Sequence, residues 1–395
     1  MKTKFIIIGA GPAGLSFATT LKKLGECSFV ILEKEKESGG LCRSVMHNAA
    51  PIDTGGGHIL DVRRKNVLDF IFSYMPENEW NFYDRNTKIV VDNHIISYPF
   101  EANIWQFPME EQIEYLESIA KAALLQKEKP GHFIDWIYWK FGDKIADKYM
   151  IPYNQKIWSC DLNLLGTYWL EKLPDVSFRD TLASCLSRKF YGTLPGHAQF
   201  YYPKKQGYGE VFLRIAETLK EHIRYEYPVK ELDVTNRIIN REFTADYIVN
   251  TAPWVEFSEK MPDDISKLVK ALQYTSVDID YYAEPSDTDA HWTYYASPDL
   301  SYHRKIHRDN IVAGSSGYWT ETNAKRRNKK GLFHFENPYA YPLNTMDKPS
   351  TISALLSKME KYHIFGLGRW GEWEHYNSDV VIERGIQMAE KLIKK

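Results

Sequence analysis

Cysteine is scarce and poorly placed for covalent or metal chemistry: the four residues Cys27, Cys42, Cys160 and Cys185 form no CxxC and no ligand spacing. That excludes a disulfide scaffold and a zinc module, and free thiols suit a reducing compartment, so the cytoplasm is the expected location. Charge of one sign is missing too. Lys and Arg number 50 against 52 Asp and Glu, which leaves no global field to draw the chain onto a polyanion, and nucleic acid is not an expected partner. No stretch approaches the ~20 apolar residues of a membrane span. The short apolar run in MKTKFIIIGAGPAGL meets a glycine turn instead of a cleavage site, so it reads as a strand and not a signal peptide. There is no internal repeat, no Ser/His/Asp or Cys/His arrangement and no metal site to expect.

What is present is length and aromatic bulk. The 395 residues suffice for roughly two or three packed units, and the 26 Tyr and 11 Trp are mostly core or interface residues. Lys4 to Ile8 reads as a buried parallel strand, Gly9 to Gly14 as a turn, Ala13 to Leu24 as a helix and Ser28 to Glu33 as the next strand, a complete βαβ unit. From about Trp105 to Lys189 the pattern turns helical, with Ile113, Leu116, Ile119 and Leu124 as the apolar positions of one helix. Tyr247 to Thr251 is a short apolar strand, and Gln273 to Tyr282 alternates as a half-buried antiparallel strand should. The basic run Lys325 to Lys330 reads as a solvated loop. The expected fold is α/β: a discontinuous Rossmann-like FAD-binding domain (1–65, 204–268, 350–395), an inserted helical domain (100–190) and a mostly antiparallel sheet domain (66–99, 191–203, 269–349).

Gly9, Gly11 and Gly14 form GxGxxG directly after a strand and at the opening of a helix. There the absent side chains let backbone approach a pyrophosphate, and the helix N-terminus stabilises its charge. Pro12 and Ala13 lie in the same turn. Glu33 closes the following strand, where a carboxylate can accept hydrogen bonds from adenosine ribose hydroxyls. NAD and FAD are tied at that point. The continuation through Glu33, Gly39, Gly40, Leu41 and Arg43 resembles the ExxxxxGG extension of glutathione-reductase and amine-oxidase type flavoproteins, which implies FAD. Gly55, Gly56 and Gly57 before His58 supply backbone able to lie flat against a planar ring. Near the C-terminus, Arg369 stands in GRWGEWEHYNSD, and Asn377 or Ser378 is the expected N-cap of an amphipathic helix beginning near Asp379. Aimed at the flavin pyrimidine, that helix would stabilise negative charge on the reduced ring. Val229 completes the expected cofactor contacts.

Taken in order, these segments together with Tyr98-Pro99-Phe100 and Asn103, PYNQKIW (residues 152–158), Phe200-Tyr201-Tyr202-Pro203 before Gly207, and GRWGEWEHYN resemble the UDP-galactopyranose mutase family over nearly the whole chain. The resemblance implies a flavin-dependent mutase that interconverts pyranose and furanose forms of a UDP-sugar, the N5 of reduced FAD attacking the anomeric carbon. It places His58 beside the flavin, the diphosphate tyrosines at Tyr294 and Tyr341, the diphosphate arginine at Arg304, and Lys172 where the family has a second arginine. Uridine-side contacts fall on Tyr98 and on Tyr153, Asn154 and Trp158, with Asn103, His197 and His375 completing the substrate set. Tyr302 is expected to pack. His375 stands where the family has tyrosine and Glu101 where glutamine is frequent, departures that bear on the sugar before the reaction.

A nucleotide-diphosphate sugar is therefore the expected partner, a homodimer is compatible, and NAD(P)H is a candidate reductant although no second GxGxxG marks a site for it. The alternative is an amine-oxidase or protoporphyrinogen-oxidase type oxidoreductase working from oxidised flavin with an apolar tunnel, and a third reading is a flavin-binding protein without activity. Arg304 with Tyr294 and Tyr341 argues against the second. His375 and Lys172 favour the third.

Overall fold

The computed structural model describes residues 2–394 apart from 126–127, 171–175, 193–195 and 258–260, so Lys172 lies outside the described residues. Its first sheet grows from the apolar start of the chain. Lys2–Ile8 runs parallel to Phe29–Leu32 on one side and to Phe243–Asn250 on the other. Ile223–Arg224 pairs beyond Phe29–Leu32, Ile364–Gly366 pairs parallel with Phe243–Asn250, and two short antiparallel strands, Ile238–Ile239 and Leu232–Asp233, extend the other edge. Side chains alternate across a strand. Phe5 and Ile7 accordingly enter a core with the helices Pro12–Lys23, Glu210–Glu217 and Ser378–Leu392, whereas Ile6 and Ile8 enter a second core with Asp263–Ala271 and Lys348–Glu360. Both faces being covered, the strand is buried from Phe5 to Ile8, as a parallel sheet with helices on each side demands. The first helix starts one residue earlier than the sequence suggests because Pro12 fits the first helical position, where its missing N–H costs nothing.

The second sheet has seven strands in the order Phe333–Pro342, Tyr274–Tyr282, Tyr318–Asn323, Arg304–His307, Trp292–Tyr295, Thr87–Val91 and His94–Ser97. All neighbours are antiparallel except Trp292–Tyr295 with Thr87–Val91. Tyr274–Tyr282 departs from the expected half-buried pattern: Val277 to Tyr281 are all buried. The polar face is covered because Asp278 takes the guanidinium of Arg327, and Asp280 lies 2.9 Å from His334 Nδ1. Residues 327–330 are exposed, as expected of a solvated loop, with Arg327 reaching back to the sheet.

Helices Met109–Leu124, Phe133–Ile145, Ile151–Trp158 and Phe178–Ser187 build a third core around Tyr115, Ile119, Trp136 and Phe141. The first of them buries a different stripe from the expected one. Tyr115, Ser118 and Ile119 face inward while Ile113 is 46% and Leu124 87% exposed, because Ser118 meets the helix Phe133–Ile145 at its kink, Gly142. There φ is +72°, and a Cβ would lie 2.5 Å from the Ser118 carbonyl oxygen, a conformation and approach that glycine alone tolerates. Gly142→Ala is expected to lower stability by about 1–3 kcal/mol, read as a shift in the urea midpoint; an unchanged midpoint would show that the kink can straighten.

Candidate active site

The strand Lys2–Ile8 ends in Gly9, whose φ of +99° turns the chain sharply into the helix Pro12–Lys23. Gly11 is the N-cap and offers no side-chain cap, so the first N–H groups of that helix are left for an anion. A Cβ on Gly11 would lie 3.8 Å from the Gly40 Cα, so the two glycine backbones face each other at close range. Glu33 is buried, its Oε2 accepting from the Ala10 N–H at 2.7 Å and its Oε1 from the Glu35 N–H at 2.9 Å. Burial raises its pKa despite those bonds. Each carboxylate oxygen retains a second acceptor direction, so ribose hydroxyls remain within its chemistry.

These groups border a cavity of about 270 Å³ that also takes in Ala13, Leu41, Val229, Arg369 and Ser378 and reaches His58 at its inner end. A glycine-lined trough, an uncapped helix N-terminus and a buried acidic strand end fit a dinucleotide such as FAD. Five residues expected among the contacts do not line it: Gly57 and Asn377, which border a second cavity, and Gly14, Gly56 and Asp379. Gly14 instead lets the helix touch the Gly9 carbonyl, the Gly56 carbonyl receives His58 Nδ1 at 3.0 Å, and Asp379 is buried 3.3 Å from Arg64 Nη1.

A second cavity of about 190 Å³ shares His58, Arg369 and Ser378 with the first and is lined by Tyr294, Arg304, Tyr341 and His375, with Gly57, His197 and Asn377. Strand register explains part of this gathering: Arg304 lies opposite Tyr294 on one side and Glu321 on the other, and lateral neighbours share a face. Arg304 donates from Nε to Glu321 Oε2 at 2.8 Å and from Nη2 to Oε1 at 2.7 Å. Burial would raise the Glu321 pKa, but the Arg304 charge, His303 and the Gly57 N–H, 2.9 Å from Oε1, hold it down at about 2. The arginine expected to stand free for a diphosphate is thus already matched by a buried carboxylate.

His58 Nδ1 faces a carbonyl and must carry the proton, which leaves Nε2 as an acceptor. Burial and then the Arg369 charge lower its pKa to about 4, so it is neutral near pH 7. Arg369 donates from Nε and Nη2 to the Tyr376 carbonyl and from Nη1 to that of Ala340, and its guanidinium stands 5.3 Å over the Tyr341 ring. Asn377 occupies the N-cap position of Ser378–Leu392 by backbone only. Its amide faces His197 Nε2 at 2.9 Å, and His197 Nδ1 lies 2.7 Å from Asp61.

Other expected contacts lie outside this cavity. Asn103 donates to the Pro99 carbonyl and accepts from Gln106; Asn154 donates to the Met150 carbonyl and accepts from Trp158 Nε1. These bonds hold helix ends inside the third core. Tyr98 and Tyr153 stand behind Tyr294, with ring centroids 5.7 and 5.3 Å away. Sequence reasoning missed Glu321, Arg85, Trp292 and Asp53, all of which line or pair within the cavity. Asp53 is buried, and burial raises its pKa to about 7 although Ser44 and Tyr202 donate to it. The one signal for Asp53 was its place at the head of the glycine run.

A family model of NAD(P)-binding Rossmann-like domains matches residues 7–73. All-trans-retinol 13,14-reductase of Rattus norvegicus is 32% identical over 78 residues, which is 20% of this chain and only 13% of that protein. The crystal structure of reduced UDP-galactopyranose mutase superposes with a TM-score of 0.90 at 20% identity, covering 100% of this chain and 94% of that one. The chain has the UDP-galactopyranose mutase fold. Cyclohexylamine oxidase from Brevibacterium oxydans IH-35A shares the wider architecture, with a TM-score of 0.70 at 14% identity over 99% of each chain. No helix among the described residues is long and apolar enough to cross a membrane.

Gly11→Val should leave the apoprotein folded, since ordinary contact distance separates Gly11 from Gly40, yet abolish flavin retention by filling the trough; a yellow, stoichiometrically loaded variant would contradict the placement. Glu321→Gln strips Arg304 of its counter-charge and should cost about 3 kcal/mol near neutral pH. Because the folded pKa of Glu321 lies below the ordinary 4.5, its contribution is full above pH 4.5 and is lost toward about pH 2. The gap between wild type and variant, measured by denaturant titration at pH 7, 4.5 and 3, should therefore narrow as pH falls.

Proposed function

We propose that the protein is a flavin-dependent mutase interconverting pyranose and furanose forms of a nucleotide-diphosphate sugar, UDP-galactose or a close analogue. The observation that carries this reading is one cavity in which His58, Tyr294, Arg304 and Tyr341 meet at the inner end of the dinucleotide trough. Bound reduced FAD would supply an electron-rich ring nitrogen as nucleophile. The chain's own residues do the rest by holding and shielding. Tyr294 and Tyr341 offer O–H donors on rigid rings to phosphate oxygens. Arg304 adds Nη1, the guanidinium nitrogen that Glu321 does not engage. His58 holds an acceptor lone pair at Nε2, and the N-terminus of Ser378–Leu392 favours negative charge beside it. His375, 4.5 Å from the Tyr341 ring, would orient that tyrosine where the family uses another.

The second reading, an amine-oxidase type oxidoreductase, draws support from the neutralised Arg304 and from the architecture shared with cyclohexylamine oxidase. Cytoplasmic location, a homodimer and NAD(P)H as reductant belong to the mutase reading as expectations. Incubation of dithionite-reduced protein with a panel of UDP- and dTDP-sugars, with ring size read by chromatography, decides between them. A ring-size isomer is expected with reduced protein and none with oxidised. No product from any sugar, together with substrate-dependent flavin bleaching and oxygen uptake by the oxidised protein, would transfer the assignment to the oxidase.

A further inference from the structure

Two guanidinium groups line the inner cavity without an ion-pair partner among the described residues: Arg369, which spends Nε, Nη1 and Nη2 on backbone carbonyls and borders both cavities, and Arg85. Arg85 sits where the chain passes from the strand Trp80–Asp84 to the strand Thr87–Val91, anchored by its N–H to the Ala198 carbonyl at 2.8 Å. Its Nε donates to Thr87 Oγ1 at 2.9 Å, Nη1 to the Gly196 carbonyl at 3.1 Å, and Nη2 reaches the Tyr294 hydroxyl at 3.5 Å. A guanidinium has five N–H donors; these three bonds and a contact to the Tyr98 hydroxyl account for four, which leaves one Nη donor. A guanidinium's planar set of donors suits an oxyanion. Its plane is held by the rings of Tyr98, 4.2 Å away, and Trp292, 4.9 Å away. The Tyr294 hydroxyl accepts from Trp292 Nε1 at 3.0 Å, which leaves its own proton to donate.

We propose that Arg85 and Tyr294 form the principal anion-binding pair of this cavity and take the substrate's diphosphate, the role that family resemblance gives to Arg304. Arg304 is committed to a buried carboxylate, whereas Arg85 brings charge that no carboxylate among the described residues compensates. The identification of the anion as a diphosphate rests on the nucleotide-sugar reading; the oxyanion chemistry does not.

The test is calorimetric titration of the flavin-loaded protein with UDP, uridine, inorganic pyrophosphate and malonate. Arg85→Gln should weaken UDP roughly 10- to 100-fold, as loss of charge-assisted hydrogen bonds does, and leave uridine unchanged, with Arg85→Lys recovering part of the loss. Equal UDP affinity in wild type and Arg85→Gln overturns the assignment and spares the nucleotide-sugar reading. A parallel loss of uridine affinity makes Arg85 a packing residue and also overturns it. If wild type ignores UDP but binds pyrophosphate or malonate through Arg85, the anion site stands and the nucleotide sugar falls; if it binds none of the anions, both fall. Should Arg85→Gln lose its flavin, Arg85→Lys decides: weaker UDP binding than wild type sustains the pair, and equal binding overturns it.

Discussion

Glu321 sits where three groups from two segments converge on the same negative charge: the Arg304 guanidinium on the neighbouring strand with His303 Nε2 beside it at 3.5 Å, and the Gly57 N–H from the glycine run. Desolvating a carboxylate this thoroughly is costly, and the ion pair by itself is a weak source of net stability. Its value is positional. A Cβ on Gly56 would lie 2.9 Å from Glu321 Oε1, so the glycine run can close on the carboxylate only because it lacks side chains there. Through that contact the second sheet is registered against the cofactor trough, and His58, two residues past Gly56, is delivered to the point where the two cavities meet.

The formal net charge of -2 conceals a local imbalance. Around the inner cavity, Glu321 cancels Arg304, Asp53 has its pKa raised to about 7, and His58 is neutral, while Arg85 and Arg369 meet only neutral partners among the described residues. The walls are mostly aromatic and of low polarisability compared with water, so the residual positive field is concentrated on whatever enters. Whole-chain charge argues against a polyanion partner without speaking to a small anionic ligand.

Local features of the fold were legible in advance because their causes are local. The apolar start, the glycine turn and the proline at the first helical position all act within a dozen residues, and the βαβ unit follows from them. The site was less legible for a definite reason. Tyr294, Arg304 and Glu321 become neighbours through strand register, which no spacing in the sequence encodes; Arg304 was found through a motif, but the carboxylate that neutralises it belongs to no motif. Arg85 was missed likewise, its setting being assembled from Gly196, Thr87, Trp292 and Tyr98. Asn103, Asn154 and Trp158, placed by the resemblance, spend their polar groups on neighbours within the helical core. The helix phase was misread because Ile113 and Leu124 are apolar yet outward, while Ser118 is polar yet buried against Gly142.

Helix Ser378–Leu392 packs against helix Pro12–Lys23 so closely that Gly385 lies against Ser16, and Ser378 joins Gly11 in the wall of one trough. During synthesis, the amino-terminal turn would thus emerge from the ribosome long before the segment that completes its partner surface. Helices between residues 109 and 187 can settle early on short-range contacts, but the nucleotide cradle stays open until the helix Ser378–Leu392 has been made. A chain that stops before this helix therefore lacks one wall of the trough.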